Sequence, residues 1–383
     1  MSTVAVSEDI LRWALDRSGQ TIEDVLPGFP RLRDWISGEK QPTLRQLEGF
    51  ARTTHTPLGF LFLPKPPEER MPIPHFRTAD RERPHRPSTE LLDTIHTMQL
   101  RQAWMRDDVK DQGQEPLPFV RSARVGDLPE TVAKKMRQLL EFEENWAERE
   151  RTWTDALRRL REAIEEARIL VVVNGIVGNN THRKLDPGEF RGFVLVDEYA
   201  PLVFANNSDG KAAQMFTLAH ELAHVFFGSS AAFDLRQLMP AQDKTEQACN
   251  QVAAEFLVSA SLLRKAWPAV KDDNEPFQAI ARQFKVSEIV AARRALDLGL
   301  IGRKAFFEFY ETYRAIERRK SDEAPGGGDF YLNQNLRVGA RFGAAVVRAV
   351  KEGRLGYTEA YRMTGLYGKT FEQFAASLIV RGA

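Results

Sequence analysis

Residues 216–228 read Phe-Thr-Leu-Ala-His-Glu-Leu-Ala-His-Val-Phe-Phe-Gly, two imidazoles four positions apart with a carboxylate directly after the first. On a helix, positions i and i+4 share a face, so His220 and His224 can hold one metal ion while Glu221 points toward a further coordination position. Phe216, Leu218, Leu222, Val225 and Phe226 make the rest of this helix apolar, which requires a core helix with one reactive face. Histidines that merely satisfy hydrogen bonds are the weaker reading. With seven His in 383 residues, chance supplies a His-Glu-x-x-His roughly once in a hundred such chains.

The chemistry explains the residue types. Neutral imidazole nitrogens bind Zn²⁺ at about 2.0–2.1 Å, and a catalytic zinc keeps an open position for a water whose pKa falls to about 7. Glu221 is then the expected general base, taking a proton from that water and passing it to the leaving amine. A catalytic site needs a third protein ligand, and no third His follows at a suitable spacing, so a carboxylate is expected. Residues 245–258 read as a second helix with Val252, Phe256 and Leu257 toward the core. Its two glutamates, Glu246 and Glu255, lie nine positions apart, about 900° of rotation, and face opposite sides. Glu246 shares a face with Asn250 and Ala253, where small residues let two helices approach, and is the expected ligand. Glu255, Asp243 and Asp234 are the alternatives. The expected cofactor is one Zn²⁺ per chain.

Three blocks, Phe190 to Asn206, Phe216 to Gly228, and Glu246-x-x-x-Asn250-x-x-Ala253-Ala254-x-x-Leu257, resemble in order and spacing the ImmA/IrrE family of metallo-endopeptidases. The resemblance implies a zincin-like domain, zinc held by His220, His224 and Glu246, and Glu221 as base. It also implies cleavage of regulatory proteins, typically DNA-binding repressors.

Composition bears mainly on what is excluded. A net charge of +1 with 28% charged residues demands neither nucleic acid nor membrane as a global partner. A single cysteine, Cys249, excludes an internal disulfide framework and a cysteine-rich zinc site, and its helical context reads as an inert buried thiol. No signal-like N-terminus and no run of 18 apolar residues appears, so a cytoplasmic protein is expected.

The fold class expected is α+β, mostly helical, in four parts. Residues 1–63 are similar to an XRE-type helix-turn-helix domain, with Ser7 and Gly19 bounding a first helix and Trp35-x-x-Gly38 leading to Pro42-Thr43-x-x-Gln46-Leu47. Leu26-Pro27-Gly28-Phe29-Pro30 breaks the usual second helix, which favours a degenerate domain kept for protein contacts. Arg31, Arg33, Lys40, Arg45 and Arg52 keep contact with DNA phosphates open. Residues 64–126 join a proline-rich linker to a helix over 89–106 with Leu92, Ile95 and Leu100 toward the core. Residues 127–265 form the zincin-like domain: a long amphipathic stretch over 129–167, strands over 169–173, 190–196 and 201–204, then the zinc helix. Residues 266–383 form a helical C-terminal part, with a helix-turn-helix mimic over 277–300 assigned to structure. His75, His85, His96 and His182 have no partner at ligand spacing and read as ordinary, His182 in a surface loop. Gly365-Leu-Tyr-Gly368-Lys369-Thr370 lacks the first glycine and the preceding strand of a phosphate loop.

Two functions compete. The first is a cytoplasmic zinc endopeptidase of a regulatory circuit that cleaves one partner, a repressor or a toxin. The second is a regulator or antitoxin that binds DNA and protein, with a structural or weakly active metal site. A closed structural site has no use for Glu221, which favours the enzyme. A substrate segment is expected to pair with the sheet edge near Pro201 to Phe204, and unfolded proteins such as casein are expected to be poor substrates.

Overall fold

Ser7 has a short side chain whose oxygen can take up a free helical N–H, and it does so for Ile10 at the start of helix α1 (Glu8–Ser18). Gly19 ends the helix in the left-handed region at φ 66°. In a computed structural model of the chain, the described residues are 3–69, 87–208, 210–229, 231–233, 243–321 and 330–381. They fall into two compact units, one up to Ile95 and one from His96.

In the first unit, α2 (Ile22–Val25) is only four residues long, and α3 (Leu32–Ile36) five. The Leu26–Pro30 stretch between them cannot continue a helix because Pro27 and Pro30 lack the N–H. Helix α4 (Leu44–Thr53) opens with a reciprocal Thr43–Gln46 capping box. Ile10, Leu11, Leu32, Trp35, Leu47 and Phe50 form this unit's core. Of the cations named above for phosphate contact, Arg33 is paired with Glu23 at 3.1 Å and Lys40 with Asp34 at 2.7 Å.

Helix α5 (Thr89–Asp111) extends five residues beyond the sequence expectation. It buries Leu92 and Ile95, but Leu100 is 64% exposed. The buried face runs on through Met98, Gln102, Met105 and Val109, and Leu100 lies five positions past Ile95, about 140° off that face.

The second unit contains the expected mostly helical α+β fold. The amphipathic stretch over 129–167 is not one helix: α6 (Pro129–Leu139) and α7 (Trp153–Glu166) are separated by a 3₁₀ turn at Trp146–Arg149. Five consecutive apolar-rich residues then form β1 (Leu170–Asn174), entirely buried. A two-stranded antiparallel ribbon follows, β2 (Ile176–Val177) and β3 (Asn180–Lys184). His182 sits on β3, in an exposed strand and not a loop. Strands β4 (Gly192–Leu195) and β5 (Leu202–Asn206) are both fully buried. Helix α8 (Lys211–Phe227) carries the His-Glu-x-x-His run, and β6 (Ala231–Phe233) returns to the sheet.

The main sheet has the order β1-β5-β4-β6. β1 and β5 are parallel, pairing Leu170 with Leu202 through Asn174 with Asn206, and β4 is antiparallel to β5 and β6. The expectation of a substrate-binding edge near Pro201 to Phe204 is therefore wrong. β5 is an internal strand with both sides of its backbone paired; its unbroken apolar run reports that both faces are covered, not which edges are paired.

Beyond β6 the chain is helical: α9 (Lys244–Leu257), α10 (Ala260–Val270), α11 (Pro276–Phe284), α12 (Glu288–Asp297), α13 (Arg303–Ser321), α14 (Phe330–Val338), α15 (Ala340–Lys351), α16 (Tyr357–Thr364) and α17 (Lys369–Arg381). Helix α8 packs on β4 and β5 and against α9, with α6 and α7 beside it, while α14 and α15 lie on β1. Gly339, at φ 87°, makes the α14–α15 junction possible: a Cβ there would stand 2.8 Å from the Val171 carbonyl. No helix among the described residues is long and apolar enough to cross a membrane.

Candidate metal centre

Helix α8 is buried along residues 214–226, so its polar side chains within that stretch must find partners inside the protein. Gly228, at φ 77°, ends it and returns its N–H to the His224 carbonyl at 2.8 Å. One turn apart, the His220 and His224 rings tilt toward each other, their Nε2 atoms 3.1 Å apart.

The third group comes from α9. Asp243 caps that helix, its Oδ1 accepting from the backbone N–H of Thr245 at 2.7 Å and of Glu246 at 3.1 Å. This fixes the first turn and aims Glu246 at α8. The two Glu246 oxygens lie 3.2 Å from His220 Nε2 and 3.0 Å from His224 Nε2, and all three residues are buried. Ligands at about 2.05 Å in a tetrahedral shell stand about 3.3 Å apart, so the observed separations fit a single small ion such as zinc.

The electrostatics of these side chains are opposed. Burial raises the Glu246 pKa, but hydrogen bonds from His220 and His224 outweigh it and hold the carboxyl at about 2. Burial lowers the His220 pKa, against the pull of Glu246. Both groups are thereby in the states metal ligation needs, a carboxylate and a neutral imidazole. Asn250, one turn after Glu246, faces the same side of α9 and exerts a small upward pull on the His220 pKa.

Glu221 differs from its neighbours. It is fully buried, and among the described residues neither carboxylate oxygen has a hydrogen-bond partner. Burial, reinforced by the charge on Glu246, raises its pKa well above the usual carboxylate value. Its Oε1 lies beside Gly192 of β4, 3.3 Å from where a Cβ would stand. Sequence reasoning passed over Gly192, whose only signal was a glycine at the head of an otherwise apolar strand.

The other candidates have different roles. Glu255, on the opposite side of α9, pairs with buried Arg294 and accepts the Ala260 N–H at 3.2 Å. Burial raises its pKa, and Arg294 opposes the rise. Asp243 is the helix cap, and Asp234 lies outside the described residues, as do His75 and His85. His96 is exposed. Cys249 is buried, and burial together with the charges of Glu246, Glu221 and Asp243 raises its thiol pKa well above the ordinary value, which makes it unreactive.

Residues 166–296 match the family model described as the IrrE N-terminal-like domain, of the M78 peptidases. Residues 338–377 match a domain of unknown function. No curated protein matches the chain. The first match covers the sheet, α8 and α9 and supports the ImmA/IrrE family, and with it a zinc metallopeptidase-like protein.

Proposed function

We propose that the chain is a zinc-dependent endopeptidase of the cytoplasm that cleaves one partner protein, a DNA-binding repressor or a toxin, within a regulatory circuit. The observation that carries this reading is Glu221, a fully buried carboxylate with no donor among the described residues, beside three converging ligand atoms. Such a group is costly to keep unless a reacting water lies against it.

His220, His224 and Glu246 would hold the zinc, which when bound supplies a Lewis acid that lowers the pKa of water to about 7. Glu221 accepts a proton at a carboxylate oxygen as the water oxygen bonds to the peptide carbonyl carbon. It gives the proton to the amide nitrogen as the C–N bond breaks. Burial and the charge on Glu246 raise its pKa, which strengthens it as a base toward the attacking water. The Asp243 cap keeps Glu246 in register. Among the described residues β6 pairs only with β4, so its outer side is where an extended substrate segment would add as a strand.

Where a repressor or toxin is encoded beside this chain's gene, it is the substrate to try first, incubated with the zinc-loaded full chain. A discrete cut that disappears with Glu221→Gln is expected. The same cut made by Glu221→Gln, or a regulator left whole, contradicts the proposal.

A further inference from the structure

His220 and His224 do not stand in equivalent places on α8. His220 lies in the body of the helix, where the backbone hydrogen bonds are complete, whereas His224 belongs to the last four residues, whose carbonyls find no partner within the helix. A ligand in a last turn is only as fixed as the end of that turn.

Two of those carbonyls are taken by a segment far earlier in the chain. The backbone N–H of Arg121 donates to the Val225 carbonyl at 3.1 Å, and that of Ala123 donates to the Phe226 carbonyl at 3.0 Å. The His224 carbonyl itself accepts from Gly228 at 2.8 Å and from Ser229 at 3.2 Å.

Residues 117–123 are anchored on several sides. The Leu117 N–H donates to the Glu198 carbonyl at 2.7 Å, in the connection between β4 and β5, and Arg121 Nη1 reaches Glu198 Oε1 at 3.1 Å. Lys135 of α6 donates to the Ser122 carbonyl at 3.3 Å. Leu117, Val120 and Ala123 are buried in the main core, and the Phe119 ring lies against Phe226 with centroids 5.7 Å apart.

The backbone is strained where it meets α8. Arg121 adopts φ 58°, in the left-handed region that disfavours a residue with a Cβ, and persists there because its surroundings hold it. A Cβ on Gly228 would collide with Arg121 Cγ. The glycine that ends α8 therefore also makes room for the segment.

We propose that residues 117–123 are a positioning strap for the metal centre, the N–H groups of Arg121 and Ala123 holding the last turn of α8 and, through it, the His224 ring beside Glu246. This rests on the reading of His220, His224 and Glu246 as metal ligands. The strap acts on the backbone from which His224 projects, while His220, one turn earlier, is held by the helix itself.

Cobalt(II) titration of the metal-free full-length chain, followed by visible absorption at room temperature, tests this. The parent should take up one equivalent. Ala123→Pro removes the N–H to Phe226, and Arg121→Val puts a β-branched residue at φ 58°, where it is strongly disfavoured. Each should weaken cobalt binding about tenfold, the lower end of what losing a partner that supports a metal ligand costs, and should shift the absorption band. Arg121→Gly adopts that backbone freely, so it should bind about tenfold more tightly than Arg121→Val although both lack the ion pair to Glu198. Arg121 is exposed, and circular dichroism of both variants there should match the parent.

A strap that served only the stability of the fold would lower the Tm of the metal-free Ala123→Pro and Arg121→Val proteins and leave their cobalt affinity at the parent level; that result overturns the proposal. So would an Arg121→Gly protein that binds as weakly as Arg121→Val. Should Ala123→Pro fail to fold, the two Arg121 variants decide the matter alone. A parent chain that takes up no cobalt contradicts the metal-site reading itself, and the strap falls with it.

Discussion

Gly192→Ala should loosen the centre without touching any ligand. The new Cβ would stand 2.4 Å from Thr217 Cγ2, 2.7 Å from the Phe204 carbonyl oxygen and 3.3 Å from Glu221 Oε1. Carbon atoms in contact sit about 3.5–4.0 Å apart, so Thr217 must retreat by about 1 Å. The Phe204 carbonyl cannot yield easily, because β5 is held between β1 and β4. The strain therefore falls on the packing of α8 against β4. Overpacking of a tight core costs about 1–3 kcal/mol, and with a backbone oxygen among the clashes the upper half of that range is expected. For a unit of this size that is a fall in Tm of roughly 4–12 °C. Displacing Glu221 by a large fraction of 1 Å should reduce kcat about 100-fold. His220, His224 and Glu246 are not contacted, so zinc content should stay at the parent level. Thermal melting, metal analysis and cleavage of the partner regulator read the three quantities. Adding Thr217→Ser removes the worst clash and should recover part of the loss. An unchanged Tm, or a lowered Tm with full hydrolysis, would refute the claim that this glycine positions Glu221.

Arg294→Ala should strand Glu255 as a buried unpaired carboxylate and destabilise the fold by about 3–5 kcal/mol; chemical denaturation reads this, and a loss under 1 kcal/mol would contradict the pairing. Asp243→Ala removes the α9 cap, so a stability loss of about 1 kcal/mol and weaker zinc binding are expected together; equilibrium dialysis against a zinc buffer measures the second. Casein should survive incubation with the zinc-loaded full-length chain, whereas its rapid degradation, abolished by Glu221→Gln, would show that the cleft admits unfolded chains.

What the sequence made legible follows the range of each interaction. The α8 run could be read because its signal is local: periodic apolar residues, a glycine stop, and two histidines on one face. The opposition of Glu246 and Glu255 is likewise a matter of helical rotation. The break between α6 and α7 could not be read, since residues 140–152 contain neither Pro nor Gly. Glu141 nevertheless adopts φ 54°, and the stacking of Phe142 on Trp146 with ring centroids 4.4 Å apart is a tertiary effect. The internal position of β5 depends on which strands flank it, and β6 is too short to announce itself. Gly192 acquires its importance from Thr217, Phe204 and Glu221, none of them adjacent in sequence.

Metal analysis of three purified proteins tests the central claim most directly. The parent chain should carry one zinc, His224→Ala should lose it, and Glu221→Gln should keep it in full while losing hydrolysis of the partner. Full zinc retention by His224→Ala, or undiminished hydrolysis by Glu221→Gln, would contradict the account.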